Sequence, residues 1–531
     1  MLKEGVIMLK FMADRNGGIN LQKKAVVKII ITMLIFLLGF EFSIQAFAVE
    51  QAKKTYSEYI NEYAQFLNEN NEEVVLSAIH YQDAVGTKIS DGILLSGENS
   101  TVSYSFNLSE PGLYYIMINY KAVAGGSEIA RGIRINSEYP FEEARHITFR
   151  RFYKDQHQEY KKEVGNQTFP PQIETEVWHE FILSNSKGEP FKFFFEAGEN
   201  ILTIEAVNGE IWMDKIKLIP ALPLPDYKSY ISRLSKSGYE FYDGEPIKIQ
   251  AEDAALKTSP SLYPINDRTS SLTEPYHPYY VILNSIGGYA WRFPGQMIVW
   301  EVDIPKEGLY KIAFRYKQSY NRGRFSVRRL AINGEIPFAE ASEIKFPYDT
   351  KFNLNYLADE DSGEEFYFYF KEGKNTISLE VCLGVFGELI ERVENSLREL
   401  NKIYQDIVVV TGTSPDRYRD YNLTLLIPDL RERLILQRNN LKDIIEEINS
   451  ITGDFTEANT VIEMLVITLG KIIQRPNEIG RYLADFKNNI SALGYWIDSM
   501  MRQPLLLDYI VVAPADYLLP KGEANLIQNL M

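Results

Sequence analysis

Over residues 101–108 apolar residues fall on every second position: Val102, Tyr104, Phe106 and Leu108 alternate with Ser and Asn. Over 297–304 the pattern returns with Ile298, Trp300, Val302 and Ile304. A period of two with one apolar face predicts a half-buried antiparallel strand. Glu-Pro-Gly and Lys-Glu-Gly follow, ending at Gly112 and Gly308, and predict turns, so each stretch reads as a hairpin. Residues 55–67 and 226–236 instead space Tyr and Ile at i, i+3 and i+4, the pattern of an amphipathic helix.

These correspondences make the chain a repeat of itself. Residues 75–84 and 247–254 both end in Asp-Ala. Ile135-Asn136-Ser137 and Ile332-Asn333-Gly334 both lead to Pro-Phe, at Pro140-Phe141 and Pro337-Phe338. Residues 191–207 mirror 366–381, two strands around a Gly turn. The first repeat then closes with a short strand over 212–218. In the second, that strand reappears only at 507–512. Sixteen positions separate Gly198 from Asp214 and 135 separate Gly373 from Asp508, an insertion of roughly 119 residues. The insertion has helical periodicity over 388–409, 423–451, 457–473 and 478–501, punctuated by Pro428, Gly453 and Pro476.

The predicted fold is therefore mainly β with α: two antiparallel jelly-roll β-sandwiches, the second interrupted by a helical bundle. The expected domains are a first sandwich with its N-terminal helix at 55–221, a second at 226–385 completed by 504–514, the helical insertion at 386–503, and a linker stub at 515–531. Residues 1–48 read as a signal peptide: Lys23, Lys24 and Lys28, an apolar run over 29–40, then Ala46-Phe47-Ala48 as a cleavage site. The apolar run is short against the ~20 residues of a membrane span. An uncleaved anchor is the alternative, and Met8 and Met12 are alternative starts. No Cys follows the cleavage site, so the lipoprotein signal is missing. Export implies an extracellular or cell-surface location.

Composition narrows the chemistry. With 531 residues, 45% hydrophobic and 24% charged, the chain is globular and long enough for several cores. A formal net charge of −16 argues against nucleic acid as a partner. Cys382 is the sole cysteine and lies on a strand pattern, so it reads as a small buried hydrophobe. The five histidines, at 80, 146, 157, 179 and 277, lack metal-ligand spacing, and no zinc, nucleophile-elbow or phosphate-loop motif is present. No catalytic residue is expected.

Two constellations remain. Gln250 and Glu252 at the start of the second repeat, with Asp508 on its last strand, could hold a structural Ca²⁺ by oxygen ligands; a solvated acidic strand end is the alternative. The matching residues of the first repeat are His80, Gln82, Asp83 and Asp214, a weaker set. Tyr263, Tyr276, Tyr289 and Trp291 lie in a Gly/Pro-rich stretch, where aromatic faces can stack on sugar rings; interdomain packing is the alternative.

The Ala-Glu-Asp-Ala strand opening, the Gly-Leu-Tyr hairpins, the Ile-Asn-Gly turn and the closing Leu-Asp-Tyr-Ile strand resemble jelly-roll carbohydrate-binding modules of the galactose-binding-like fold. YPINDRTSSLTEPY at 263–276, IGGYAWRFPGQ at 286–296, TGTSPDRYRDY at 411–421 and FKNNISALGYW at 486–496 make the chain similar to the N-terminal half of large extracellular solute-binding proteins of Gram-positive carbohydrate ABC transporters. That resemblance implies a non-catalytic, carbohydrate-binding accessory region, with a sugar or cell-wall glycan and ABC transporter components as partners. It also implies an incomplete version of a longer protein, because the solute-binding domain itself would follow. A cell-surface scaffold without sugar binding is the alternative function.

Overall fold

A computed structural model describes residues 54–67, 72–156, 165–453 and 457–523. The signal segment, His157 and the chain after Glu523 lie outside the described residues. Among the described residues, 54–62, which hold most of the helix Tyr56–Tyr63, and Pro140–Glu142 form a small unit of their own. There the Tyr56 and Tyr59 rings lie 4.9 and 5.1 Å from Phe141.

The first sandwich is built on strands Ile93–Leu108, Gly112–Ala122, Gly198–Asn208 and Ile211–Pro220. Gly198–Asn208 pairs antiparallel with Ile93–Leu108 and Ile211–Pro220 with Gly112–Ala122. Ile211–Met213 also pairs with residues 94–96, which joins the two faces into one ten-stranded sheet. The alternation read from sequence is the one observed: Val102, Tyr104, Phe106 and Leu108 point inward and are buried.

The repeat is structural down to its turns. Asn136 and Asn333 both take positive φ, and each accepts a hydrogen bond from the backbone of the facing strand, from Ile201 N at 2.9 Å and Thr376 N at 2.8 Å. Asn tolerates this left-handed backbone better than most residues because its short side chain bonds locally. Asn200 and Asn375 in turn donate to the carbonyls of the hairpins that precede them.

In the second sandwich the central strand comes from beyond the insertion. Leu505–Ala513 pairs with Gly308–Lys317 on one side and with Ile247–Gln250 and Ser285–Gly288 on the other. All nine of its residues are buried. Gly287, at φ +99°, makes this possible: a Cβ there would stand 2.3 Å from the Leu505 carbonyl oxygen. The insertion itself is a bundle of Phe386–Thr411, Leu430–Thr452, Glu457–Gln474 and Leu483–Met501. Leu389, Ile390, Val393, Leu400, Ile403 and Ile407 form its buried stripe on the first helix. The helix expected over 423–451 divides into Leu423–Leu426 and Leu430–Thr452, because Pro428 disfavours helical backbone at Ile427. Among the described residues no helix is long and apolar enough to cross a membrane.

One feature departs from two self-contained repeats. Phe152–Asp155 and Gln172–Thr175, from the first repeat, extend a sheet of the second sandwich through Tyr153 opposite Lys257. Lys257 has no exposed side chain and donates to Asp155 at 2.6 Å. Arg150 is ion-paired with Glu380, and Arg329 donates to the Gly188 carbonyl at 2.9 Å. Two charges buried together are worth far more intact than broken, so these contacts fix the junction.

At the edge of the first sandwich five rings close the gap between its faces. Phe149 lies 5.0 Å from Tyr120 and 5.2 Å from Phe181, and His179 lies 4.8 Å from Phe152. Burial, and secondarily the Arg150 charge, push the His179 imidazole down to about 3. A neutral imidazole thus suits the folded state, whereas an unfolded chain protonates near ~6.5. The stabilisation it gives is complete above that pH and is lost as pH falls toward 3. We predict that His179→Gln flattens the difference in melting temperature between pH 6.5 and pH 4. Parallel acid limbs for wild type and variant would contradict this.

Candidate functional site

The four aromatic residues singled out by sequence do not form one surface. Trp291 has no exposed area. It packs edge-on to Trp300 at 6.4 Å and donates through Nε1 to the Gln296 carbonyl at 3.2 Å. The guanidinium of Arg328, itself fully buried, lies 4.2 Å over its ring and donates to the Trp291 carbonyl at 3.0 Å. Trp291 is therefore a core residue, not a stacking face: past the strand that ends at Gly288 the chain turns, Trp291 N donating to the Gly288 carbonyl at 3.3 Å, and the ring lies inside. Tyr263 is half-buried against Phe169 of the first repeat at 5.0 Å. Tyr276 is 43% exposed and opens the segment 276–280, in which His277 accepts backbone hydrogen bonds from Tyr279 and Tyr280.

Tyr289 is different. It is exposed, and Tyr320, also exposed, lies 5.6 Å away with its ring tilted by 40°. Arg292 sits 4.0 Å over Tyr289 and 4.2 Å over Phe293, which is exposed as well. Arg502, just past the last bundle helix, donates to the Tyr289 hydroxyl and to Asp498. The loop is anchored from behind: Asn321 donates to the Arg502 carbonyl at 2.9 Å, and Gln503 N to the Arg292 carbonyl at 2.8 Å. Two aromatic faces, two guanidinium groups and a carboxylate thus meet where bundle and sandwich join. Such a mixture suits a ligand with apolar faces and hydroxyl rims. Sequence reasoning missed Tyr320, Phe293, Arg292 and Arg502. A signal existed at Tyr320, the one aromatic in the polar hairpin loop 318–324.

The three oxygen donors suggested for calcium do not fit it as a set. Asp508 is fully buried and ion-paired with Arg315, and it accepts the Glu274 backbone N–H at 3.2 Å. Burial pushes its carboxyl up to about 7, with Arg315 pulling the other way. A guanidinium in contact occupies the lone pairs a hard cation needs and repels its charge. Asp508 is thus an ion-pair partner. Glu252 is buried in the turn Ala251–Asp253, and the Gln250 Oε1 is buried without a hydrogen-bond partner. Among the described residues no group of three or more His, Cys, Asp or Glu is placed to hold a metal. Cys382 is buried, and burial pushes its thiol up to about 12, which leaves it inert as a nucleophile.

Arg315 has further partners. Its Nε donates to the Gly522 carbonyl at 3.0 Å and its Nη2 to Ser270 Oγ at 3.1 Å. Glu523 accepts from Ser270 and from Phe352 N. A Cβ on Gly522 would stand 2.7 Å from Leu354 N, so the chain lies flat on the sheet there. Tyr517 and Leu519 pack over Leu354, Tyr509 and Val511. Residues 515–523, which read as a linker, cover the outer face of the second sandwich.

A second opening lies at the edge of that sandwich, a cavity of about 830 Å³ between strands Ile344–Pro347 and Asn353–Tyr356.

With the geometry in hand, comparison with known proteins adds the following. No curated protein matches the chain. Solved structures that resemble parts of it include a family 35 carbohydrate binding module from Clostridium thermocellum, at 20% identity over 26% of this chain and 87% of that one, TM-score 0.19. A CBM35 from Cellvibrio japonicus is 10% identical over 28% and 93%, TM-score 0.18. The Podospora anserina GH26-CBM35 β-(1,4)-mannanase is 14% identical over 32% and 35%, TM-score 0.18. The chain spans only about a third of that mannanase's length. Residues 388–500, the helical insertion, match the model of the bacterial solute-binding protein four-helix bundle domain.

Proposed function

We propose that this chain is a non-catalytic, carbohydrate-binding accessory region of a bacterial solute-binding protein, exported to the cell surface, where it presents sugar or cell-wall glycan to an ABC transporter. The bundle match over 388–500 supports the solute-binding association. The observation that carries the carbohydrate reading is the exposed pair Tyr289 and Tyr320, flanked by Arg292 and Arg502. Exposed aromatic rings at a loop edge match the apolar face of a pyranose, and the guanidinium groups supply donors to its hydroxyls. Calcium has no part in this reading, since Asp508 is committed to Arg315.

Tyr289→Ala and Tyr320→Ala should each weaken glycan binding by about 1–3 kcal/mol, the range of an aromatic anchor, with the melting temperature unchanged. A glycan array followed by titration of the best hit measures this. Binding indifferent to both substitutions would overturn the placement of the site. The shared sheet and buried ion pairs between the repeats favour a second reading, a rigid spacer. A folded chain that retains no glycan on the array would select that reading instead.

A further inference from the structure

The two repeats differ at one place where their sequences make the same turn. Pairing registers set Tyr120 against His179 and Ile118 against Phe181 in the first sandwich, and Tyr316 against Asn353 and Phe314 against Asn355 in the second. Asn355 therefore stands where Phe181 stands. In the first sandwich Phe181 is buried and lies 5.2 Å from Phe149, and the Tyr120 hydroxyl donates to the Arg150 carbonyl at 2.7 Å. The gap between the faces is filled and its hydroxyl satisfied. In the second, Phe346 keeps the place of Phe149, with Tyr316 edge-on at 4.8 Å. Asn355 is exposed and leaves the gap open as the 830 Å³ cavity. Tyr316, 7% exposed, lines it, and its hydroxyl makes no hydrogen bond among the described residues. Facing a cavity rather than a protein acceptor, the hydroxyl remains available as a donor to a ligand.

We infer that this cavity is a second sugar site, for a neutral pyranoside of one or two rings, separate from the loop cluster at Tyr289. Its volume is within the ~300–1,000 Å³ of small-molecule sites. The floor is aromatic, from Tyr316 and Phe346, and the wall is polar, from Asn355 and Glu343. Five acidic residues line it against one basic residue, Lys345, which is already paired with Glu360. That field disfavours uronates and sugar phosphates. A hexose ring can lay its C–H face on the aromatic floor, accept from the Tyr316 hydroxyl, and exchange hydrogen bonds with the Asn355 amide and the Glu343 carboxylate. The ligand class rests on the carbohydrate reading above; the place does not.

The test is made on the full chain carrying Tyr289→Ala and Tyr320→Ala, which removes the loop cluster. Cellobiose, maltose and mannobiose are titrated by calorimetry and by ligand-observed NMR, with glucuronic acid as the anionic control. At least one disaccharide should still bind and glucuronic acid should not. Adding Asn355→Phe, which installs the residue of the first repeat, should abolish that binding while the melting temperature holds or rises. Tyr316→Phe should weaken it about threefold to tenfold, the worth of one hydrogen bond. If Asn355→Phe fails to fold, Asn355→Ala with Tyr316→Phe decides by the same loss. Loss of all binding on removing the loop cluster overturns the inference and leaves the loop site standing. Residual binding insensitive to Asn355 and Tyr316, or equal binding of glucuronic acid, also overturns it.

Discussion

Trp291→Ala will strongly destabilise the second sandwich rather than blunt a binding face. The ring has no exposed area, packs on Trp300 and sits under the Arg328 guanidinium. Its removal leaves a cavity and strips Arg328 of the ring that covers its charge in a site that water does not reach. Large-to-small changes of a buried aromatic cost about 3–5 kcal/mol, a large share of the ~5–15 kcal/mol that holds a domain folded. Burial already pulls Arg328 down to about 9, so its charge is held at a cost even with the ring in place. Urea denaturation followed by tryptophan fluorescence should show a lower midpoint with an unchanged slope. Trp291→Phe should lose less, because the ring plane is kept. An intact midpoint for Trp291→Ala would show that the ring is not in the core.

Arg315→Met and Asp508→Ala should each be about as damaging, at roughly 3–5 kcal/mol, because each leaves its partner buried and uncompensated. The double variant should lose less than the sum of the two. Coupling of this kind distinguishes a pair from two independent contacts. A double-mutant cycle on the full chain measures it, and additive losses would show that the pair contributes no energy of its own. Arg315 also holds Gly522 and Ser270, so Arg315→Met should loosen residues 515–523 as well. Faster amide exchange at Tyr517 and Leu519 would report this.

These two residues show where sequence was legible and where it was not. Hairpins, Asn turns and the displaced closing strand were readable because each rests on local spacing: period two, a Gly turn, an Asn in positive φ. Trp291 was misread because an aromatic among glycines and prolines looks like a loop residue. Only the three-dimensional turn from Gly288 to Trp291 puts it inside. Asp508 was misread for a related reason. Strict alternation sets Asp508 on the face opposite its neighbour Tyr509, but a register shift in the pairing with Gly308–Lys317 makes Asp508 the extra residue and brings it to Arg315. The cover comes from residues 515–523, whose Pro and Gly content resembles a linker. The sheet shared between repeats was hidden because Phe152–Asp155 is only four residues long and meets Lys257 through a single pairing. Tyr320 was visible as an aromatic in a polar loop, but nothing in one dimension brings it to Tyr289.

The position of Leu505–Ala513 has a consequence in time. The second sandwich needs this strand at its centre, yet it is synthesised after the whole helical insertion. At about 5–20 residues per second, the four-helix bundle takes on the order of ten seconds to emerge. Throughout that interval the Gly308–Lys317 strand has no partner along the edge that Leu505–Ala513 will fill. The bundle, rich in local contacts, belongs to the fast-folding class. Once folded, it returns Leu505 toward Val381 and replaces a long, slow loop closure with a short one. Slowing bundle folding should therefore trap an open sandwich, whose exposed strand edge invites a second copy of the chain.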